Sequence, residues 1–292
     1  MTDLETSLET KNYPNVGQSF GIVGIMIVGA LLMSPLTLIP DKFIDKEAVM
    51  LIYYLVAVGI PFWIVYSIRK RKTAIKTFNF AIENKRVIPF VIIASLALFL
   101  GVISPISSLI PMSEVIKKAF VGLAQQSGFC TFLYMVIAAP IFEEFIFRGI
   151  MLDGLLKKYS PMKSILISSF LFGLVHLNPW QFVIGLFLGI FMGWIYYKTK
   201  SLSLTIIIHA AVNLSGFLMR YFGDFDPSSM DKTLVESYGG TLNFVLIVVG
   251  CIVIFSISTH YLQREFITID TKARSQLSDL VQETQFQEDA SR

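Results

Sequence analysis

Seven stretches of this 292-residue chain run for 19 residues or more without one Asp, Glu, Lys or Arg: 12–40, 48–68, 87–113, 119–142, 164–197, 201–219 and 237–263. A helix needs about 20 apolar residues to cross a bilayer. No soluble fold has room to bury seven such runs. Their apolar character is continuous rather than alternating, which excludes a membrane β-barrel. Charged residues make up only 15% of the chain, against about 25% in soluble domains, so there is little polar surface to cover a globule. The two cysteines, Cys130 and Cys251, are far apart and form no CxxC, which removes zinc fingers and thiol-redox motifs. A net charge of +3 without a basic face argues against a nucleic-acid partner.

The 164–197 run is 34 residues long and carries Asn178-Pro179 near its middle. Proline disfavours helix in the residue before it, so this run divides into two helices. The expected fold is therefore all-α and polytopic, with about eight transmembrane helices near 18–40, 49–68, 87–110, 128–157, 163–177, 179–197, 201–221 and 241–262. Residues 1–17 read as a polar N-terminus, 18–262 as one membrane domain, and 263–292 as a polar, mobile tail. The loop 69–86 carries seven Lys and Arg. Placing it in the cytoplasm puts both termini there and divides the basic residues 17 to 6, with Arg148 left inside a span. Segment 111–127 has apolar residues at Met112, Val115, Ile116, Ala119, Phe120 and Leu123, the spacing of an amphipathic helix lying on the membrane.

In so apolar a chain the informative residues are the polar ones within spans, since an ionisable group at bilayer depth costs at least about 2.5–3.5 kcal/mol. Three places qualify. The first is Glu143-Glu144 with Arg148. Glu144 and Arg148 are spaced to pair along one helix face, whereas Glu143, about 100° away, points elsewhere. The plain alternative is a helix end at the interface with its charges snorkelling. The second is Phe172 with His176, where a packed, hydrogen-bonded imidazole is the ordinary reading. The third is His209 with Asn213, which an interhelical hydrogen-bond pair also accounts for. Counted at about 1.5 Å per residue from the basic ends of their helices, Glu143, His176 and His209 lie about 15–20 Å deep from the same side. Such agreement points to one polar intramembrane cavity open to the cytosol.

A carboxylate, two imidazoles and a carboxamide form a hydrolytic set: a base for water and donors for an oxyanion. Glu143 is the candidate base, His176 orients the water, and His209 with Asn213 supplies the donors. Glu144, Arg148 and Phe172 support them. The same Glu143, His176 and His209 also read as a zinc set, although no HExxH is present to favour it.

The motifs EExxxR (Glu143, Glu144, Arg148), FxxxH (Phe172, His176) and HxxxN (His209, Asn213) occur in that order within about 128–220. In this the chain resembles the CAAX protease and bacteriocin-processing (CPBP) family, and is similar to type II CAAX prenyl endopeptidases. The resemblance implies an intramembrane glutamic endopeptidase without a cofactor, Zn2+ being the alternative. It implies Glu143 and His176 as water activators and His209 and Asn213 as oxyanion stabilisers. The expected partners are membrane lipids and a membrane-associated, lipidated or transmembrane peptide or protein substrate, and the expected setting is a bacterial inner membrane. The competing readings are a non-proteolytic scaffold or bacteriocin-immunity protein of that family, or a proton-coupled transporter.

Overall fold

The computed structural model describes residues 12–223 and 232–290. The first part of the polar N-terminus thus lies outside the described residues. About 80% of the chain is helical, and no strand occurs among the described residues. Seven helices are long and apolar enough to cross a membrane. They are α1 (Val16–Met33, extended by a 3-10 turn to Leu38), α2 (Lys46–Thr73), α3 (Val87–Ser108), α5 (Phe129–Leu156), α7 (Pro179–Thr199), α8 (Leu202–Phe222) and the first part of α9 (Thr241–Ala290). Between them lie α4 (Glu114–Ala124) and α6 (Pro161–Leu174).

Local signals account for the boundaries. Asn15 and Gln18 form a reciprocal capping box that starts α1, and Asp45 accepts the first amides of α2. Asn178 caps α7 and Pro179 occupies its first position, where no amide is needed. The expected division at Asn178-Pro179 is therefore present. It differs in one respect: α6 ends at Leu174, four residues short of Asn178, and Leu177 takes a left-handed conformation (φ 55°). His176 thus sits on a turn rather than on a helix. The 14 residues of α6 span about 21 Å, which makes it the eighth apolar helix but a short one. At the other end of the chain, α9 continues to Ala290, where the sequence pointed to a polar mobile tail from 263. The segment expected to form an amphipathic helix does so as α4.

The core is built around α5, whose Ile146, Phe147, Ile150 and Met151 are fully buried. α6 and α7 pack against it as a tight antiparallel hairpin. Glycines at four-residue intervals on α7 make this possible. A β-carbon on Gly185 would lie 2.8 Å from the backbone of Gly173, one on Gly189 would press on Ser169, and one on Gly193 on Ile165. Small residues let membrane helices approach closely where no hydrophobic force drives them together. On the basic side, the loop joining α2 to α3 folds beneath the bundle. Its Phe78 ring meets Phe145 edge-on at 4.7 Å and covers Gly149, and the Asn79 carbonyl accepts the first amide of α8.

Replacing Gly185 with Val should force α6 and α7 apart and lower the thermal midpoint of the detergent-solubilised protein. Gly250→Val on α9, where nothing lies within 4 Å, should leave it unchanged. Equal midpoints for the two variants would show that the glycine seam is not a packing constraint.

Candidate active site

The three polar motifs meet. Glu144 is completely buried and Arg148, one turn later on α5, is 1% exposed. The guanidinium donates to Glu144 Oε1 at 2.8 Å, the pairing their spacing predicted. It also lies 4.4 Å above the Phe172 ring of α6, as a cation on an aromatic face, and reaches the Gly189 carbonyl of α7 at 3.4 Å. The same Oε1 of Glu144 receives His209 Nδ1 from α8 at 2.9 Å. A carboxylate neutralised by an arginine only accepts, so Nδ1 of His209 carries a proton and donates.

His209 Nε2 faces Glu143 Oε2 at 3.9 Å. Helical spacing predicts separate environments for Glu143 and Glu144, because adjacent helical residues diverge. The structure differs: one imidazole is wide enough to meet both, with one nitrogen toward each carboxylate. Glu143 keeps 13% of its side chain exposed, where Glu144 has none. The two neighbouring carboxylates thus differ: Glu143 can be reached from outside, and Glu144 is sealed in with its partners.

Phe172 connects the motifs. Its ring meets His209 at 5.7 Å and His176 at 5.4 Å, both edge-on, while Arg148 covers its face. The Nδ1 of His176 is bonded to the Phe172 carbonyl at 2.8 Å, which leaves Nε2 available. Asn213, one turn beyond His209, donates to the Met135 carbonyl of α5 at 2.8 Å and retains a second amide hydrogen. One contributor escaped the sequence reading. Tyr54 of α2 donates its hydroxyl to Glu143 Oε1 at 2.8 Å. A lone tyrosine in an apolar run carries no motif to announce it.

The zinc alternative needs Glu143, His176 and His209 to converge on one point. Among the described residues no three His, Cys, Asp or Glu side chains are grouped as a metal ion requires.

Glu144→Gln should cost about 3–5 kcal/mol of stability, because it strands the Arg148 cation in a dry interior. Adding Arg148→Met should recover part of that loss. Unfolding of the two variants in detergent checks this, and a double variant less stable than the single one would contradict it.

Residues 125–215 match the family model of type II CAAX prenyl endopeptidase Rce1-like proteins. Among curated proteins, the chain is 30% identical over 126 residues to UPF0177 protein YxdF of Lactococcus lactis. It is 32% identical over 84 residues to the protein named "Putative membrane peptidase YdiL" of Bacillus subtilis. These alignments cover 43% and 29% of this chain, and 66% and 34% of the relatives, just under two thirds of one and about a third of the other. No solved structure matches. The resemblance drawn from the motifs is thus borne out: residues 125–215, which hold EExxxR, FxxxH and HxxxN, match the Rce1-like family model and lie within a longer helical membrane chain.

Proposed function

We propose that this chain is an intramembrane endopeptidase that hydrolyses a peptide bond of a membrane-associated peptide or protein, lipidated or transmembrane, with water activated on Glu143. The observation that carries the reading is that Glu143 Oε2 and His209 Nε2 face each other at 3.9 Å, beyond direct hydrogen-bond distance, so that a substrate water can contact both.

In this mechanism Glu143 takes a proton from water as its oxygen attacks the scissile carbonyl. His176, through its uncommitted Nε2, orients that water. The carbonyl oxygen becomes an oxyanion and is stabilised by His209 and by the spare amide hydrogen of Asn213. Because Nδ1–H of His209 is committed to Glu144, donation from Nε2 requires the doubly protonated ring. The carbon–nitrogen bond then breaks, the proton held by Glu143 passes to the departing amine, and the new carboxyl leaves with the other product. Phe172 and the Glu144–Arg148 pair hold this geometry without taking part in proton transfer. No metal enters the mechanism. The excess of Lys and Arg on one side favours a cytosolic site and cytosolic termini in a bacterial inner membrane.

Purified protein in detergent, offered a library of lipidated and transmembrane peptides, tests this. The wild type should cleave, Glu143→Gln should fall by about 10³-fold or more, and a strong chelator should leave the wild-type rate unchanged. Full turnover by Glu143→Gln would overturn the reading. Activity lost to the chelator and restored by zinc would overturn its metal-free part.

A further inference from the structure

α2 lies outside the Rce1-like segment, yet it is fastened to α5 at three levels along one face. At its start, Glu47 accepts the amides of Gly128 at 2.9 Å and Thr131 at 3.4 Å, capping the first turn of α5 from a neighbouring helix. Two turns later, Tyr54 donates to Glu143 Oε1. About four turns beyond that, the buried Arg69 approaches Asp153 at 4.0 Å. Separations of 7 and 15 residues are close to whole numbers of helical turns, so all three side chains project toward α5. Tyr54 is further held by the tilted ring of Tyr134 on α5, with centroids 6.2 Å apart. Its hydroxyl is therefore fixed from both helices.

A carboxylate has two equivalent oxygens until its surroundings distinguish them. Here Oε1 of Glu143 is engaged by Tyr54 and Oε2 faces His209 Nε2 across 3.9 Å. We infer that Tyr54 is a positioning residue: by holding Oε1 it stops rotation of the carboxylate and presents Oε2 as the oxygen that takes the proton from water. The inference rests on the peptidase reading above. It adds a residue from outside the matched segment, so the site is a property of α2 together with the Rce1-like core. The neighbouring Tyr53 provides a control. It is bonded to the Ala30 carbonyl of α1 at 3.3 Å, so its hydroxyl braces helices and does not touch the site.

The test compares Tyr54→Phe, Tyr53→Phe and Glu143→Gln on one lipidated peptide that the wild type cleaves. Tyr54→Phe should lower kcat by about ten- to a hundredfold, the effect of losing one hydrogen bond to a charged group, with KM and thermal midpoint unchanged. Tyr53→Phe should keep the wild-type kcat. Infrared difference spectra against Glu143→Gln should show the Glu143 carboxylate stretch displaced in Tyr54→Phe alone. Wild-type kcat in Tyr54→Phe beside an inactive Glu143→Gln would overturn the role of Tyr54 and leave the peptidase reading standing. Wild-type kcat in Glu143→Gln would remove the peptidase reading and this inference with it. A fall in kcat shared equally with Tyr53→Phe, or accompanied by a lowered midpoint, would reduce Tyr54 to a packing residue.

Discussion

A single carboxylate oxygen holds this molecule together at its centre. Oε1 of Glu144 receives Arg148 from its own helix and His209 from α8, with the whole side chain cut off from solvent. A charge in such a place is tolerable only when paired and hydrogen-bonded, and removing either donor leaves the others stranded. The arrangement extends outward from there. Arg148 lies on Phe172, whose ring edges meet both imidazoles, and its second arm reaches the α7 backbone at Gly189. Four helices are thus brought into register by one buried ion pair. The glycine seam between α6 and α7 lets Gly189 come that near.

α5 is the structural axis and also carries Glu143 and Glu144, and its backbone departs from a regular α-helix on both sides of them. π-helical turns at Leu133–Ala138 and Phe145–Leu152 flank the α-helical stretch Ala139–Glu144. Such wide turns are rare and recur at functional sites. Each inserts an extra residue into the helical repeat and rotates everything beyond it. Side chains before and after Glu143 therefore do not follow a 3.6-residue phase, and Met135 can offer its carbonyl to Asn213.

What the sequence made legible follows from how strong each signal is. Charge-free runs revealed the spans, because hydrocarbon tolerates nothing else. The motif residues stood out because ionisable groups are costly there, and the Glu144–Arg148 pair followed from spacing alone. The shared position of Glu143 and Glu144 against one imidazole was not readable, since it depends on a ring from α8 and on the altered phase of α5. Tyr54, Glu47 and Arg69 escaped for a similar reason: each acts across 80 or more residues of chain, and none belongs to a local pattern. The seam of Gly185, Gly189 and Gly193 was present as a four-residue repeat, but glycine is frequent in membrane helices and the repeat points nowhere until its partner helix is known. The early end of α6 depends on Leu177 adopting a left-handed backbone, which leucine seldom does.

That early end has a consequence for the membrane itself. The outer face of α6 exposes Met162, Leu166 and Phe170, and Leu177 is exposed just past it. A helix of about 21 Å cannot match a hydrocarbon layer about 30 Å thick. The bilayer has to pinch toward this face, at a cost of a fraction of a kcal/mol per ångström of mismatch. Lipid headgroups and their hydration are thereby drawn down to the level of the turn bearing His176 and Asn178. The short helix is thus a thin point in the apolar girdle of the bundle, where the bilayer has to follow the protein's length.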